Sequence, residues 1–465
     1  SLPLDGTEIH AKIWKAEIFG TSGNLVPVFF LDTLHPKNSK EHIELGMRLY
    51  GGDDNVRIRQ EYLLGVGGVR GLSVLGFHLL GLHLNEGHCA FALLELLNKG
   101  WSREELQKNV LFTTHTPVPA GHDRFDWDAV EEVVGDLLPS DARELVRSAG
   151  DPHLGQQISM SHLAVALSGP VNGVSELNSV VASPMFGDKH IEPITNGVHH
   201  GTWTGPAMVK LFDENIPGWL KSPEKLENAK NIQNTDLWQA RENSRMLLRK
   251  HVKQTTGVEL HPDRLTIGFA RRFATYKRAN LVFSDLDRLR DFGNGKVQFV
   301  FSGKAHPKDE GGKALIKSIF ESAKDLENEI PIAFLEDYSM ATGLAMTSGV
   351  DVWLNNPIRP MEASGTSGMK AAMNGVLNCS ILDGWWPEGC EHGKNGWAIG
   401  GMDEERDDVR DAKNVLDVLE HQVVPLWYGD KGIWAEMMKA AIVTSTRFTG
   451  ARMINDYRRF YDLFG

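Results

Sequence analysis

Cysteine is scarce in this chain: its 465 residues include three, Cys89, Cys379 and Cys390, and no two of them form a CxxC pair. Cys379 lies in an apolar run where a thiol packs as a small hydrophobe, and so few thiols fit a reducing, cytoplasmic setting. Long apolar runs are missing as well. His or Gly interrupts the longest of them, so none can span a bilayer. There is no surplus of positive charge: the formal net charge of −12 argues against a general nucleic-acid-binding surface, although a basic pocket can still sit inside an acidic protein. No succession of basic, apolar and small residues typical of a signal peptide follows Ser1. Internal repeats and low-complexity tracts are absent too.

What remains is 41% hydrophobic and 24% charged, the balance of a globular protein with ample material for two domains. Strand-like and helix-like segments alternate. Strands are expected at Val26 to Leu31, Val110 to Thr114, Leu265 to Ala270, Val297 to Phe301, Ile332 to Leu335, Val350 to Leu354 and Val376 to Leu382. Helices are expected at Cys89 to Leu97, Val130 to Leu138, Ala279 to Phe292, Lys313 to Leu326 and Met369 to Asn374. This order predicts an α/β protein whose parallel sheets are covered by helices and bind ligands beyond the carboxyl ends of the strands. A turn dipeptide in Ile194-Thr195-Asn196-Gly197-Val198 separates a helix-rich stretch, Ser161 to Ala182, from a new run of alternating elements. The expected division is therefore 1–197 and 198–465, with a last helix over about 454–463 patterned to pack back on the first domain or to remain a plain amphipathic terminus.

The chemistry-bearing residues follow predicted strands. Asn355 to Lys370 is a turn-rich loop holding Glu362, Ser364, Gly365, Thr366 and Gly368, with Lys370 about one turn inside the next helix. Glycines 365 and 368 let the backbone turn tightly and let an anionic or oxygen-rich group reach the helix-start amides, although an ordinary βα connection has the same pattern. Arg271-Arg272-Phe273-Ala274-Thr275-Tyr276-Lys277-Arg278 puts four cations at a strand end. That suits phosphate better than a solvated helix start, where cations oppose the dipole. Ser302 to Pro307 and Phe334 to Tyr338 end two further strands. In the first half, His83 to His88 and Thr113 to Pro117 place imidazoles on turns. Their mixed donors and acceptors suit a polyhydroxylated ligand, and their spacing gives no zinc-ligand set, so no metal is expected. Asn85 and Thr116 also read as helix caps. Trp385 and Trp386 offer stacking faces for sugar rings or, more commonly, buried packing.

In this order, from about residue 60 to the end, these segments resemble the α-glucan phosphorylases, the glycogen, starch and maltodextrin phosphorylase family, and especially its shorter bacterial and archaeal branch. The resemblance rests on His83 to His88, Val171 to Val174, Thr195 to Val198, Arg271 to Arg278, Gly303 to Ala305, Phe334 to Tyr338, Glu362 to Lys370, Asn374-Gly375 and Leu382 to Gly384. It implies two Rossmann-like domains facing a cleft, the GT-B glycosyltransferase architecture. It implies phosphorolysis of α-1,4-glucan to α-glucose 1-phosphate with retention, with glucan and orthophosphate as partners and a homo-oligomer among the assemblies it allows. The implied cofactor is pyridoxal 5′-phosphate, bound to Lys370 and used through its phosphate as an acid and base. Carried over by position, Arg272 and Lys277 would bind substrate phosphate, with Arg271 near the cofactor phosphate. Asn196, His88, Glu362, Ser364 and Gly365 would hold the transferred sugar, and Tyr338, Gly365 and Thr366 would border the cofactor. Lys370, Arg272, Lys277, Glu362 and His88 form the implied catalytic set.

Two departures accompany the resemblance. The family's upstream glycine-rich loop has no counterpart, since Gly65 to Val69 belongs to a different stretch, so the chain reads as amino-terminally truncated, with an incomplete first domain and little activity expected alone. Ser339 stands where longer members carry arginine, and Ser367-Gly368 replaces Gly-Asn. A nucleotide-sugar-dependent glycosyltransferase of the same architecture and a non-catalytic glucan-binding piece are the rival readings.

Overall fold

The computed structural model describes residues 1–4, 6–21, 23–47, 53–115, 117, 121–135, 143, 144, 146, 147, 155–402 and 406–464. The chain divides into two compact units. Ser1–Val174, Asn178–Ile194 and Asp456–Gly465 form the first, and Ser175–Leu177 with Thr195–Asn455 form the second.

The first unit is built on a four-stranded sheet in the order Glu192–Pro193, Val171–Gly173, Val110–Thr114 and Leu82–Asn85, every adjacent pair parallel. All five residues of Val110–Thr114 are buried, as expected of a parallel strand covered on both faces. The helix Asp54–Val74 starts at Asp53, whose carboxylate accepts the Val56 N–H. It sends Ile58, Tyr62, Val66 and Val69 into the core shared with helix Phe91–Asn98. The run Gly65 to Val69 lies inside this helix, with Gly65 seated against the backbone of Phe91 and Ala92.

The second unit holds a six-stranded, all-parallel sheet in the order Ile332–Leu335, Val297–Ser302, Leu265–Ala270, Val352–Asn355, Leu377–Ile381 and Gly396–Ile399. Two of the four interior strands, Leu265–Ala270 and Val297–Ser302, carry Phe269, Phe299 and Phe301, which fill one side, and both strands are buried along their full length. On helix Asn234–Thr256, buried Arg241 donates to the carbonyls of Ser348, Val350 and Asn374. Arg245 pairs with Asp351 at 3.0 Å. These bonds fix the carboxyl ends of two helices just ahead of the strands Val352–Asn355 and Leu377–Ile381, at the amino edge of the sheet. Both units thus have the parallel α/β construction expected, and no described helix is long and apolar enough to cross a membrane.

Several expected elements differ in detail. The strand near Val26 is Leu25–Asp32, half of an antiparallel hairpin with Lys12–Phe19, because a short turn closes it locally. Ser161 to Ala182 is split into helices Met160–Leu167 and Glu176–Ala182 by the strand Val171–Gly173. The segment Ala279 to Phe292 forms a short turn, Leu281–Phe283, and a separate helix, Leu286–Gly293, because the Asp285 side chain caps a new start at the Arg288 N–H. The helix near Val130 is Trp127–Val134, and residues 136–138 lie outside the described residues. The last helix is Gly450–Tyr461, and its part from Asp456 belongs to the first unit, where Tyr457 and Tyr461 meet Asn172 and His83.

Candidate active site

Two strand-end loops of the second unit and the helix Asp408–Val418 are stapled together, and the staple is Arg278. Its backbone is left-handed at φ 47. Its guanidinium donates to the carbonyls of Asn356 at 3.0 Å and Pro357 at 2.6 Å, and to the carboxylates of Asp408 and Asp411. Asn356 returns a bond from its side-chain amide to the Arg278 carbonyl, and the Ile358 N–H donates to the Tyr276 carbonyl at 2.7 Å. The loop after Leu265–Ala270 is therefore fixed against the loop after Val352–Asn355. One of the four cations read from the sequence serves structure, and the segment is a loop with a single tight turn, Thr275–Lys277, not a helix start.

That staple brings Lys277 onto Glu362. Glu362 Oε2 lies 2.5 Å from Lys277 Nζ and 2.5 Å from Arg271 Nη2, with all three groups largely withdrawn from solvent. Burial drives the Lys277 ammonium down to about 8, with Arg271 adding repulsion, while Glu362 opposes the fall. Burial also pushes the Glu362 carboxyl upward, but the two cations outweigh it and hold the group below its ordinary range. Arg271 bonds Asn355 as well. Arg272 is exposed and in no ion pair among the described residues. Asp383, following Leu377–Ile381, accepts the Glu362 N–H at 2.9 Å and the Gly384 N–H at 2.8 Å. Burial raises its carboxyl to about 7.

The glycine-rich turn leads into the helix Thr366–Met373. Gly365 precedes it at φ 78, a conformation costly for any residue with a Cβ, and no side chain caps the first turn. Gly368 is not part of the turn: it lies within the helix against Asn378 and the Trp385 indole. The buried Ser364 hydroxyl has no hydrogen-bond partner among the described residues. Lys370 Nζ lies 3.5 Å from the centroid of the Trp203 ring, and burial lowers its amine to about 8. Asn374, wholly buried, receives the Gly205 N–H at 2.7 Å and donates to the carbonyls of Trp203 and Lys370. Tyr338 is half-buried next to Ser339, which caps the helix Met340–Gly349 by accepting the Thr342 N–H. Asn196 stands where the chain enters this unit, its carbonyl bonded by Arg452 at 3.1 Å.

In the first unit, the expected turn histidines separate into different roles. His83 is on a strand, and both ring nitrogens are engaged, with Tyr461 and with Thr113 at 2.7 Å each. Asn85 bonds the His115 ring at 2.6 Å, and the residue that caps the following turn Gly87–Cys89 is Glu86, not Asn85. Thr116 lies outside the described residues. His88 sits in the short turn Gly87–Cys89, its ring without a hydrogen bond to any described residue, and burial, helped by Arg57, lowers its pKa. No cluster of metal-ligating side chains occurs among the described residues.

Sequence reading left Trp203 unnamed and quoted Asp383 only within Leu382 to Gly384, with no role in the site. The partners of both residues come from elsewhere in the chain. The tryptophans that were singled out, Trp385 and Trp386, are 2% and 1% exposed and pack in the core, so they offer no sugar-stacking face. Lys304 pairs with Asp337 at 3.4 Å in solvent, away from the buried trio's bonding.

Cations at parallel strand ends, followed by a helix whose first turn has no side-chain cap and which carries the half-buried Lys370, give this α/β unit a strand edge compatible with an oxyanion. Residues 129–422 match the carbohydrate phosphorylase family. A maltodextrin phosphorylase of Thermococcus litoralis is 39% identical over 97% of this chain and 59% of its own length. Glycogen phosphorylases of Aquifex aeolicus and Mycobacterium tuberculosis are 36% and 35% identical over 98% of this chain, which spans 72% and 59% of their lengths. The chain belongs to the carbohydrate phosphorylase family.

Proposed function

We propose that this chain carries the phosphate- and cofactor-binding machinery of an α-glucan phosphorylase, which transfers a terminal glucosyl unit from an α-1,4-glucan to orthophosphate. The observation that carries the reading is the Arg271–Lys277–Glu362 group at the carboxyl edge of the sheet that also presents Lys370. Two phosphates can approach each other only where fixed cations offset their repulsion. Arg271, Arg272 and Lys277 supply those cations, and Lys277 keeps its charge near neutral pH despite burial because Glu362 supports it.

Pyridoxal 5′-phosphate fits the residues present. Lys370 offers an amine lowered to about 8, the Thr366–Met373 helix offers uncapped amides for a phosphate, and Trp203 and Tyr338 offer aromatic surface. When bound, the group supplies a second phosphate that exchanges a proton with the substrate phosphate. In this reading Lys370 anchors the cofactor, and Tyr338, Gly365 and Thr366 border it. Glu362, Ser364, Gly365 and Asn196 accept or donate to sugar hydroxyls. The unpartnered Ser364 hydroxyl has capacity for that bond.

The reading is tested by incubating the chain, loaded with pyridoxal phosphate, with maltodextrin and inorganic phosphate and measuring glucose 1-phosphate. A borohydride-reducible visible absorbance mapped to Lys370 is the second expected result. Turnover of a sugar nucleotide by a colourless protein would instead identify a nucleotide-sugar glycosyltransferase. A coloured protein that releases glucose 1-phosphate only when joined to a relative's remaining sequence would make these residues a dependent part of the enzyme.

A further inference from the structure

The Glu362 carboxylate bonds only to Arg271 and Lys277 among the described residues, and both contacts fall on the same oxygen. Its backbone is anchored separately, through the N–H held by Asp383, so the carboxylate can leave the cations without releasing its loop. Arg271 keeps a buried Nε–H with no hydrogen-bond partner among the described residues. The pair of cations thus has an anion already in place, and still has a donor to spare. A phosphate arriving with Glu362 in position would meet a like charge at bonding distance from the same donors, which disfavours joint occupancy.

We infer that Glu362 is the resident, exchangeable anion of this site: inorganic phosphate takes over the Arg271 and Lys277 donors, and the released carboxylate becomes an acceptor for sugar hydroxyls. The inference rests on the phosphate and sugar roles proposed above. It adds that the two ligands assist one another through a single carboxylate. A sugar that draws Glu362 away uncovers the cations, a phosphate that occupies the cations frees Glu362, and the coupling must be equal in both directions. No bond is made or broken in this exchange, and the charge on each group is unchanged.

Calorimetric titration of inorganic phosphate into the full chain tests it, using wild type, Glu362→Gln and Glu362→Asp, each with and without glucose. Glu362→Gln should bind phosphate more tightly, on the order of tenfold, because the competing charge is gone. Glu362→Asp keeps the charge but reaches less far, so it should fall between. Glucose should tighten phosphate binding to wild type and leave the Gln variant unchanged. Circular dichroism and melting confirm that each variant is folded, and the Asp variant decides the matter if the Gln variant is not. Equal or weaker phosphate binding in the folded variants overturns the exchange while leaving the phosphate site standing. Absence of phosphate binding in all three proteins overturns the site assignment and the exchange together.

Discussion

Lys370 places its ammonium 3.5 Å from the centre of the Trp203 ring, and the Trp203 carbonyl is held in turn by the side-chain amide of Asn374. The indole removes water from one side of the lysine, and burial is what lowers this amine to about 8. Trp203→Ala should return the amine toward its ordinary value and leave less of it unprotonated near neutrality. Capture of pyridoxal phosphate, followed by imine absorbance at pH 7.5, should slow by about tenfold. Unchanged kinetics would mean that the ring does not set the state of the lysine.

The same lowered amine fixes a pH profile. An unprotonated amine is the nucleophile in imine formation, so the capture rate of the wild type should climb with rising pH and level off above about 8. An exposed lysine would still be climbing near 10. Stopped-flow absorbance across this range distinguishes the two curves, and a profile still rising steeply at pH 9.5 would show that Lys370 is hydrated.

Arg278 and Arg272 stand in one cationic segment, yet they should respond oppositely to substitution. Replacing Arg278 by Met strands the Asn356 and Pro357 carbonyls and unpairs Asp411, so urea denaturation should show a loss of ~2–4 kcal/mol. Arg272→Ala removes an exposed side chain and should change stability by less than ~0.5 kcal/mol, while weakening phosphate binding. If Arg272→Ala binds phosphate like the wild type, Arg272 lies outside the oxyanion site.

That contrast marks where the sequence stops being informative. Leu265–Ala270, Val110–Thr114 and Ile332–Leu335 were legible to the residue because each is a short apolar run bounded by polar turns. The three-residue strand Val171–Gly173 was not, since its pairing comes from a sheet neighbour and its length gives no period. Arg271, Lys277 and Glu362 could be picked out by charge and by their place after strands. Which of four neighbouring cations would be consumed by backbone carbonyls was invisible, because those carbonyls arrive from residues 356 and 357. Asp383 and Trp203 were hidden for the same reason: each acts on a residue brought close by folding alone.

Asp383 provides a pH-dependent measure of that hidden contact. Burial raises its carboxyl from 3.8 to about 7, so the folded chain holds this proton where the unfolded chain has released it. The sign follows directly: below about 4 both states are protonated and there is no penalty, and as pH rises to about 7 the unfolded state gains the advantage. Asp383→Asn removes the penalty but cannot accept both the Glu362 and Gly384 N–H groups, because one amide position is a donor. The variant should therefore be less stable than wild type near pH 4, by ~1–2 kcal/mol, and should recover much or all of that difference near pH 7. Denaturation midpoints of the two proteins at both pH values measure the shift. A stability difference that does not change with pH would show that Asp383 is ionised in the fold throughout, with its two backbone donors sufficient to hold the charge beside Glu362.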